Sequence, residues 1–132
     1  MIFPLAAAFA AFFASAGNPV TPAQAVSVEA LQVVPLIEPA ALDRLMKAQV
    51  RVAIVDVRRP EEFAQGHIEG AVLMPLDSLA ATYRQIPQDV KLVVYCRAGH
   101  RSAQAVQFLL AHGYARAVSL NGGYTAWSAL PH

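Results

Sequence analysis

KLVVYCRAGHRSAQAVQFLLAHG, Lys91 to Gly113, is the stretch that decides the fold. Its first five residues, Lys91 to Tyr95, are almost continuously apolar and rich in valine, which marks a strand covered on both faces. In its last twelve residues, Ala105, Val106, Leu109 and Leu110 recur at helical spacing, so Ser102 to His112 reads as a helix. Gly113 supplies its left-handed cap. Between strand and helix lie only Cys96 to Arg101. A buried strand feeding a helix through so short a loop is half of a parallel β-α-β unit.

The same alternation continues outward in both directions. Upstream, Val50 to Val57 (VRVAIVDV) is another buried strand, and Ala71 to Leu73 a brief one. Pro60 opens a short helix through Phe63 that Gly66 ends, and Asp77 or Ser78 is placed to cap a helical turn reaching Tyr83. Further back, Glu38-Pro39 opens a helix whose Leu42, Leu45 and Met46 form one apolar face. Downstream come a strand at Ala117 to Leu120, a tight turn at Asn121-Gly122-Gly123 and a closing helix over Tyr124 to Leu130. Strands alternating with short helices predict an α/β fold with a parallel sheet and helices on both sides. Ligands of such sheets sit outside the carboxyl ends of the strands, and Cys96 stands at one.

The bulk properties narrow the function. With 132 residues there is room for one domain, and a formal charge of +1 lacks the footprint of a nucleic-acid groove or an acidic-lipid patch. Met1 to Ala16 carries no charged side chain, and Ala23-Gln24-Ala25 has the small-x-small form of a leader-peptidase site. The apolar run Ile2 to Ala16 is shorter than the roughly 20 residues a membrane-spanning helix needs. We therefore expect a signal peptide over 1–25 with cleavage after Ala25, a tether over 26–32 and a domain over 33–132. That places the mature chain in a periplasm or outside the cell, free of the membrane. Cys96 is the single cysteine, so no intramolecular disulfide forms. The four histidines show no ligand-like pairing with it, and no metal is expected.

The loop itself carries the chemistry. Successive backbone N–H groups in a tight strand-to-helix turn converge on one point, and the helix N-terminus adds partial positive charge there. Gly99 permits the curl, and Arg97 and Arg101 bring forked donors suited to oxyanions. Such surroundings stabilise the Cys96 thiolate, the nucleophilic form, and would equally stabilise a persulfide on it.

These residues fall into motifs. Asp56-Val57-Arg58 with Glu61-Glu62-Phe63, Gly66-His67-Ile68-Glu69-Gly70-Ala71, Cys96-Arg97-Ala98-Gly99-His100-Arg101-Ser102 and Leu120-Asn121-Gly122-Gly123 with Trp127 resemble, in order, the motifs of the rhodanese domain in its single-domain form. The resemblance runs from about Val33 to the last residue. It implies a three-layer sandwich with a five-stranded parallel sheet, no cofactor, and transfer of sulfane sulfur through a persulfide on Cys96. The donor would be a small anion such as thiosulfate, and the acceptor cyanide or a thiol, a thioredoxin-like protein among the candidates. In the related phosphatases and arsenate reductases of this fold the loop reads C-x5-R. Here Arg101 gives C-x4-R, a pocket sized for sulfur. The alternatives are such a phosphatase or reductase, or a non-catalytic docking or redox module.

Roles follow residue by residue. Arg97 and Arg101 would attract and orient the donor, although either, Arg101 above all, could instead pair with a carboxylate to hold the loop. Gly99 and the amides of Ala98 and His100 would form the cradle, and Ser102 would either offer its hydroxyl to the persulfide or, the favoured use, cap the helix. The His100 ring is expected at the pocket mouth, facing solvent, and His67 in a structural turn. Asp56, Arg58 and Glu61 would form a local ion network, with Arg58 or Arg59 extending an anion funnel.

Overall fold

A computed structural model describes residues 33–132, and the leader and tether expected over 1–32 lie outside the described residues. Five strands form one sheet: β1 (Leu36–Ile37), β2 (Val52–Asp56), β3 (Val72–Leu73), β4 (Lys91–Tyr95) and β5 (Ala117–Leu120). Their order is β1-β5-β4-β2-β3, and every pairing is parallel. The helices are α1 (Pro39–Lys47), α2 (Pro60–Gln65), α3 (Leu79–Thr82), α4 (His100–Ala111) and α5 (Gly123–Ser128), with 3-10 turns on either side of α3. This is the expected α/β sandwich with five parallel strands.

Alternate residues of the central strand feed separate cores. Leu92 and Val94 pack with Ala105, Val106 and Leu109 of α4 and Leu79 of α3. Val93 and Tyr95 pack with Leu42 of α1 and Trp127 of α5. Because both faces are covered, the strand reads as a solid apolar run rather than an alternation. The chain leaves β2 toward β3 on one side and leaves β4 toward β5 on the other. The neighbouring carboxyl ends of β2 and β4 therefore form a topological switch point, where parallel sheets open a crevice. Asp56 and Tyr95 face each other across that register.

Several boundaries differ from expectation. The second strand spans Val52–Asp56 rather than Val50 to Val57, because Val50 and Arg51 are exposed ahead of the sheet. Helix α4 starts at His100, two residues before Ser102, because Gly99 takes φ 119° and turns the chain directly into the helix. The closing helix is Gly123–Ser128 rather than Tyr124 to Leu130. Neither Asp77 nor Ser78 caps its helical turn; the Ser78 hydroxyl donates back to the Pro75 carbonyl, 3.2 Å away. Gly113 follows α4 at φ 99°, the left-handed cap that its position predicted.

Candidate active site

Cys96 is the first residue after β4, and its side chain turns into the core on the α4 side, leaving 1% of the residue exposed. The loop then curls so that main-chain amides meet the sulfur. The Gly99 N–H reaches Sγ at 3.0 Å and the Ser102 N–H at 3.3 Å. The Ser102 hydroxyl lies 3.5 Å away. Two N–H groups from the loop and the first turn of a twelve-residue helix thus converge on one sulfur, a setting that favours negative charge there. The cradle differs in detail from expectation. Gly99 contributes an amide as well as its backbone freedom, and Ser102 an amide; those of Ala98 and His100 do not bond the sulfur.

The outward side of the loop is held by α5. The Tyr124 and Thr125 amides donate to the carbonyls of Cys96 (2.8 Å) and Arg97 (3.1 Å). This approach demands glycine at 123: a Cβ there would lie 2.5 Å from the Cys96 carbonyl oxygen and as close to that of Arg97, and φ is 61°. The Gly122-Gly123 pair read as a turn is therefore also a contact surface for the backbone of Cys96 and Arg97.

Ser102 does not cap the helix. Gly99 occupies the cap position, and Ser102 is fully buried. Its hydroxyl donates toward the Gly99 carbonyl (3.2 Å) and lies 2.8 Å from the Ser119 hydroxyl of β5.

The charged residues sort into two groups. Arg58, 4% exposed, makes a forked pair with Asp56 at 2.7–3.1 Å, donates to the Gly66 carbonyl at 2.7 Å and lies over the Tyr95 and Tyr124 rings. Burial works to pull its guanidinium down, but Asp56 holds it above the ordinary arginine value. Arg58 braces the strand end against the loop and also lines both clefts that border it, and the exposed Arg59 lines the one that reaches Arg101. Glu61 is exposed and joins no ion pair among the described residues, so the network expected of Asp56, Arg58 and Glu61 reduces to its first two members.

The carboxylate that matters is its neighbour, Glu62. It takes Arg101 in a forked pair (2.8 and 3.2 Å) and approaches Arg97 Nε at 3.5 Å. It also accepts the Arg59 N–H at 3.0 Å at the start of α2. The Arg101 hydrogen bond, opposed by burial and helped by the Arg59 amide, holds the Glu62 carboxyl down at about 2. Arg101 is raised in turn, first by that same hydrogen bond. The alternative left open for Arg101, pairing with a carboxylate, is the one adopted. Arg97 remains mostly exposed at the rim, with 65% of its side chain accessible. A signal for Glu62 was present: with Pro60 at the first helical position, Glu62 is the third, where a carboxylate reaches back to the preceding amides.

His100 is exposed, as expected of a residue at the mouth. His67 stacks on Phe63 with ring centroids 3.7 Å apart, and its Nδ1 lies 2.9 Å from the Phe63 carbonyl oxygen, a structural turn. Two clefts border the loop. One of about 180 Å³ runs along Arg97, Glu62, Gln65 and Thr125. The other, of about 220 Å³, reaches Arg101 past Val57, Pro75 and Leu76.

Comparison with known proteins places this arrangement. The pattern of the rhodanese-like domain matches residues 38–130. A sulfurtransferase of Allochromatium vinosum is 43% identical over 77 residues, 58% of this chain and 72% of that protein. Among solved structures, a human single-domain sulfurtransferase is 28% identical with a TM-score of 0.66, over 74% of this chain and 98% of that one. A Rhodopseudomonas palustris protein described as of unknown function and a possible tyrosine phosphatase is 29% identical with a TM-score of 0.67, over 76% of this chain and 83% of that one. The family match takes in every helix from α1 to α5 together with the loop that seats Cys96, and the chain belongs to the rhodanese-like domain family.

Proposed function

We propose that this chain is a sulfurtransferase that carries sulfane sulfur as a persulfide on Cys96, loaded from a small anionic donor such as thiosulfate and discharged to cyanide or a thiol. The observation that carries this reading is the pair of amides, Gly99 and Ser102, aimed at a single buried cysteine sulfur at a helix N-terminus. Loading is attack of the Cys96 thiolate on the donor's outer sulfur, with the electron pair of the broken S–S bond leaving on sulfite. Discharge is attack of the acceptor on the outer sulfur, with the bond pair returning to Cys96 Sγ. Arg97, accessible at the rim, offers the donor its first cationic contact. A thioredoxin-like protein is a further acceptor of suitable chemistry. Similarity to sulfurtransferases supports the reaction class.

The test is thiosulfate-to-cyanide transfer by the purified chain beside Cys96→Ser. Activity in the first with loss to background in the second is the expected result, together with an adduct of about 32 Da on the first alone. Equal rates from both would exclude the persulfide route.

A phosphatase reading has one observation in its favour, the similarity to the Rhodopseudomonas palustris protein. Arg101 speaks against it, since that guanidinium is spent on Glu62 rather than held free for a phosphate dianion. Hydrolysis of a phenyl phosphate ester at a rate exceeding sulfur transfer would favour the phosphatase. We further propose that residues 1–25 are an export signal, cleaved after Ala25, and that the mature chain works in the periplasm or outside the cell. Mass spectrometry of the exported protein should give an N-terminus at Val26; a start at Met1 would refute cleavage.

A further inference from the structure

Two buried hydroxyls lie in line behind the Cys96 sulfur, and only one of them touches it. Ser102 Oγ is 3.5 Å from Sγ, and Ser119 Oγ is 2.8 Å from Ser102 Oγ. Ser102 is fully buried and Ser119 is 1% exposed. Ser119 belongs to β5, while Ser102 stands in the first turn of α4. The contact therefore joins the sheet to the first turn of α4 beside the Cys96 sulfur.

The two hydroxyl protons have few places to go. Ser119 Oγ has one hydrogen-bond partner among the described residues, the Ser102 oxygen. Ser102 Oγ has three neighbours: Ser119 Oγ, the Gly99 carbonyl at 3.2 Å and Sγ. Were Ser102 to donate into Ser119, the buried Ser119 proton would be left without an acceptor among the described residues, the costly arrangement. With Ser119 donating into Ser102, both protons are placed, and the Ser102 proton chooses between the Gly99 carbonyl and the sulfur. That carbonyl already accepts the Ala103 amide at 3.1 Å, so it is not stranded when the proton turns away. A negative sulfur draws the proton more strongly than a neutral carbonyl.

We propose that Ser119 is a positioning residue for sulfur transfer: by donating into the Ser102 oxygen, it commits the Ser102 hydroxyl proton to Cys96 Sγ whenever that atom is anionic. The inference rests on the persulfide reading above and deepens it. In discharge, the acceptor's electron pair forms a bond to the outer sulfur and the S–S pair returns to Sγ, where negative charge develops. Ser102 then swings its proton from the Gly99 carbonyl to Sγ, and Ser119 secures the oxygen that remains. No proton enters or leaves the pair of serines. The effect falls on departure of the Cys96 thiolate, so discharge should depend on Ser119 more than loading does.

The experiment is a double-mutant cycle on the full chain, comparing the unsubstituted protein with Ser119→Ala, Ser102→Ala and the double variant. Each is sulfurated with thiosulfate, checked for the adduct of about 32 Da and mixed with cyanide under single-turnover conditions. We expect Ser119→Ala to slow discharge by about three- to tenfold and to weaken the ultraviolet absorbance of the thiolate at neutral pH. In the Ser102→Ala background the same substitution should change neither. Equal slowing by Ser119→Ala in both backgrounds would assign the effect to packing and overturn the proposal, as would discharge at the unsubstituted rate. If no variant gains the adduct, the persulfide reading fails on its own account. The thiolate absorbance of the four unsulfurated proteins then still reports whether Ser119 acts through Ser102.

Discussion

Two adjacent glutamates show how finely the site is drawn at the scale of single residues. Glu61 and Glu62 differ by one step of a helix, about 100° of rotation, and only the second faces the loop arginines. The motif contains both, and the ion network expected with Asp56 and Arg58 was given to the first, because residue types in order do not say which way they turn. For Ser102 the cap was favoured over a hydroxyl offered to the sulfur, because a serine near a helix start suggests a cap; the cap is Gly99, and the hydroxyl lies inward, 3.5 Å from Cys96 Sγ. The placement of Cys96, Gly99 and Arg97, by contrast, was legible: Cys96 follows the strand, Gly99 turns the chain at φ 119° and Arg97 stays exposed at the rim. The ion pair of Glu62 predicts its own pH behaviour. Its carboxyl is held at about 2, below the ordinary 4.5, so the stabilisation is complete above about 4.5, declines as the pH falls and is lost through about 2. Glu62→Gln should therefore lower stability by about 1 kcal/mol or less at neutral pH. Urea titrations of the two proteins should show that difference flat from pH 5 to 8 and closing toward pH 2.

At the scale of elements, the loop is a bridge with both ends fixed, by β4 on one side and by α5 against its carbonyls on the other. Gly123→Ala would set a methyl group against the Cys96 and Arg97 carbonyls at a backbone angle that side chains resist. We expect a loss of about 2 kcal/mol or more, measured by urea denaturation, and a fall in sulfur transfer larger than that loss of folded protein explains. Gly113→Ala is the matched control. Its φ is also positive, 99° against 61°, but its Cβ would meet only the far end of the Gln88 side chain. It should cost about 1 kcal/mol and leave transfer intact. The existence and type of nearly every element were legible, because hydrophobic period and turn residues are local properties. Boundaries were less so. The early start of α4 depends on one dihedral at Gly99, and the chain from Leu76 to Gln85 breaks into three short helical pieces that a run of mixed residues does not announce.

For the whole molecule, the sheet is the instrument that brings Asp56 and Cys96 to one edge. Parallel strands buried on both faces were visible in VRVAIVDV and KLVVY. The strand order β1-β5-β4-β2-β3 was not, since neighbours in the sheet are chosen by packing between distant segments. The buried Asp56–Arg58 pair ties that edge together through Gly66 and the Tyr95 and Tyr124 rings. Asp56→Asn would leave a buried guanidinium short of its counter-charge. It should destabilise the domain by about 3–5 kcal/mol in urea titrations, a global cost for a change that touches no reacting atom. If the loss were under 1 kcal/mol, the brace assigned to this pair would be wrong.

The grip of Tyr124 and Thr125 on the carbonyls of Cys96 and Arg97 has a consequence in time. A ribosome makes the cysteine well before it makes the residues that close its seat. Until those later residues arrive and dock, the growing polypeptide lacks the two amides that hold the cysteine's own backbone, and the seat is finished only when the fold is.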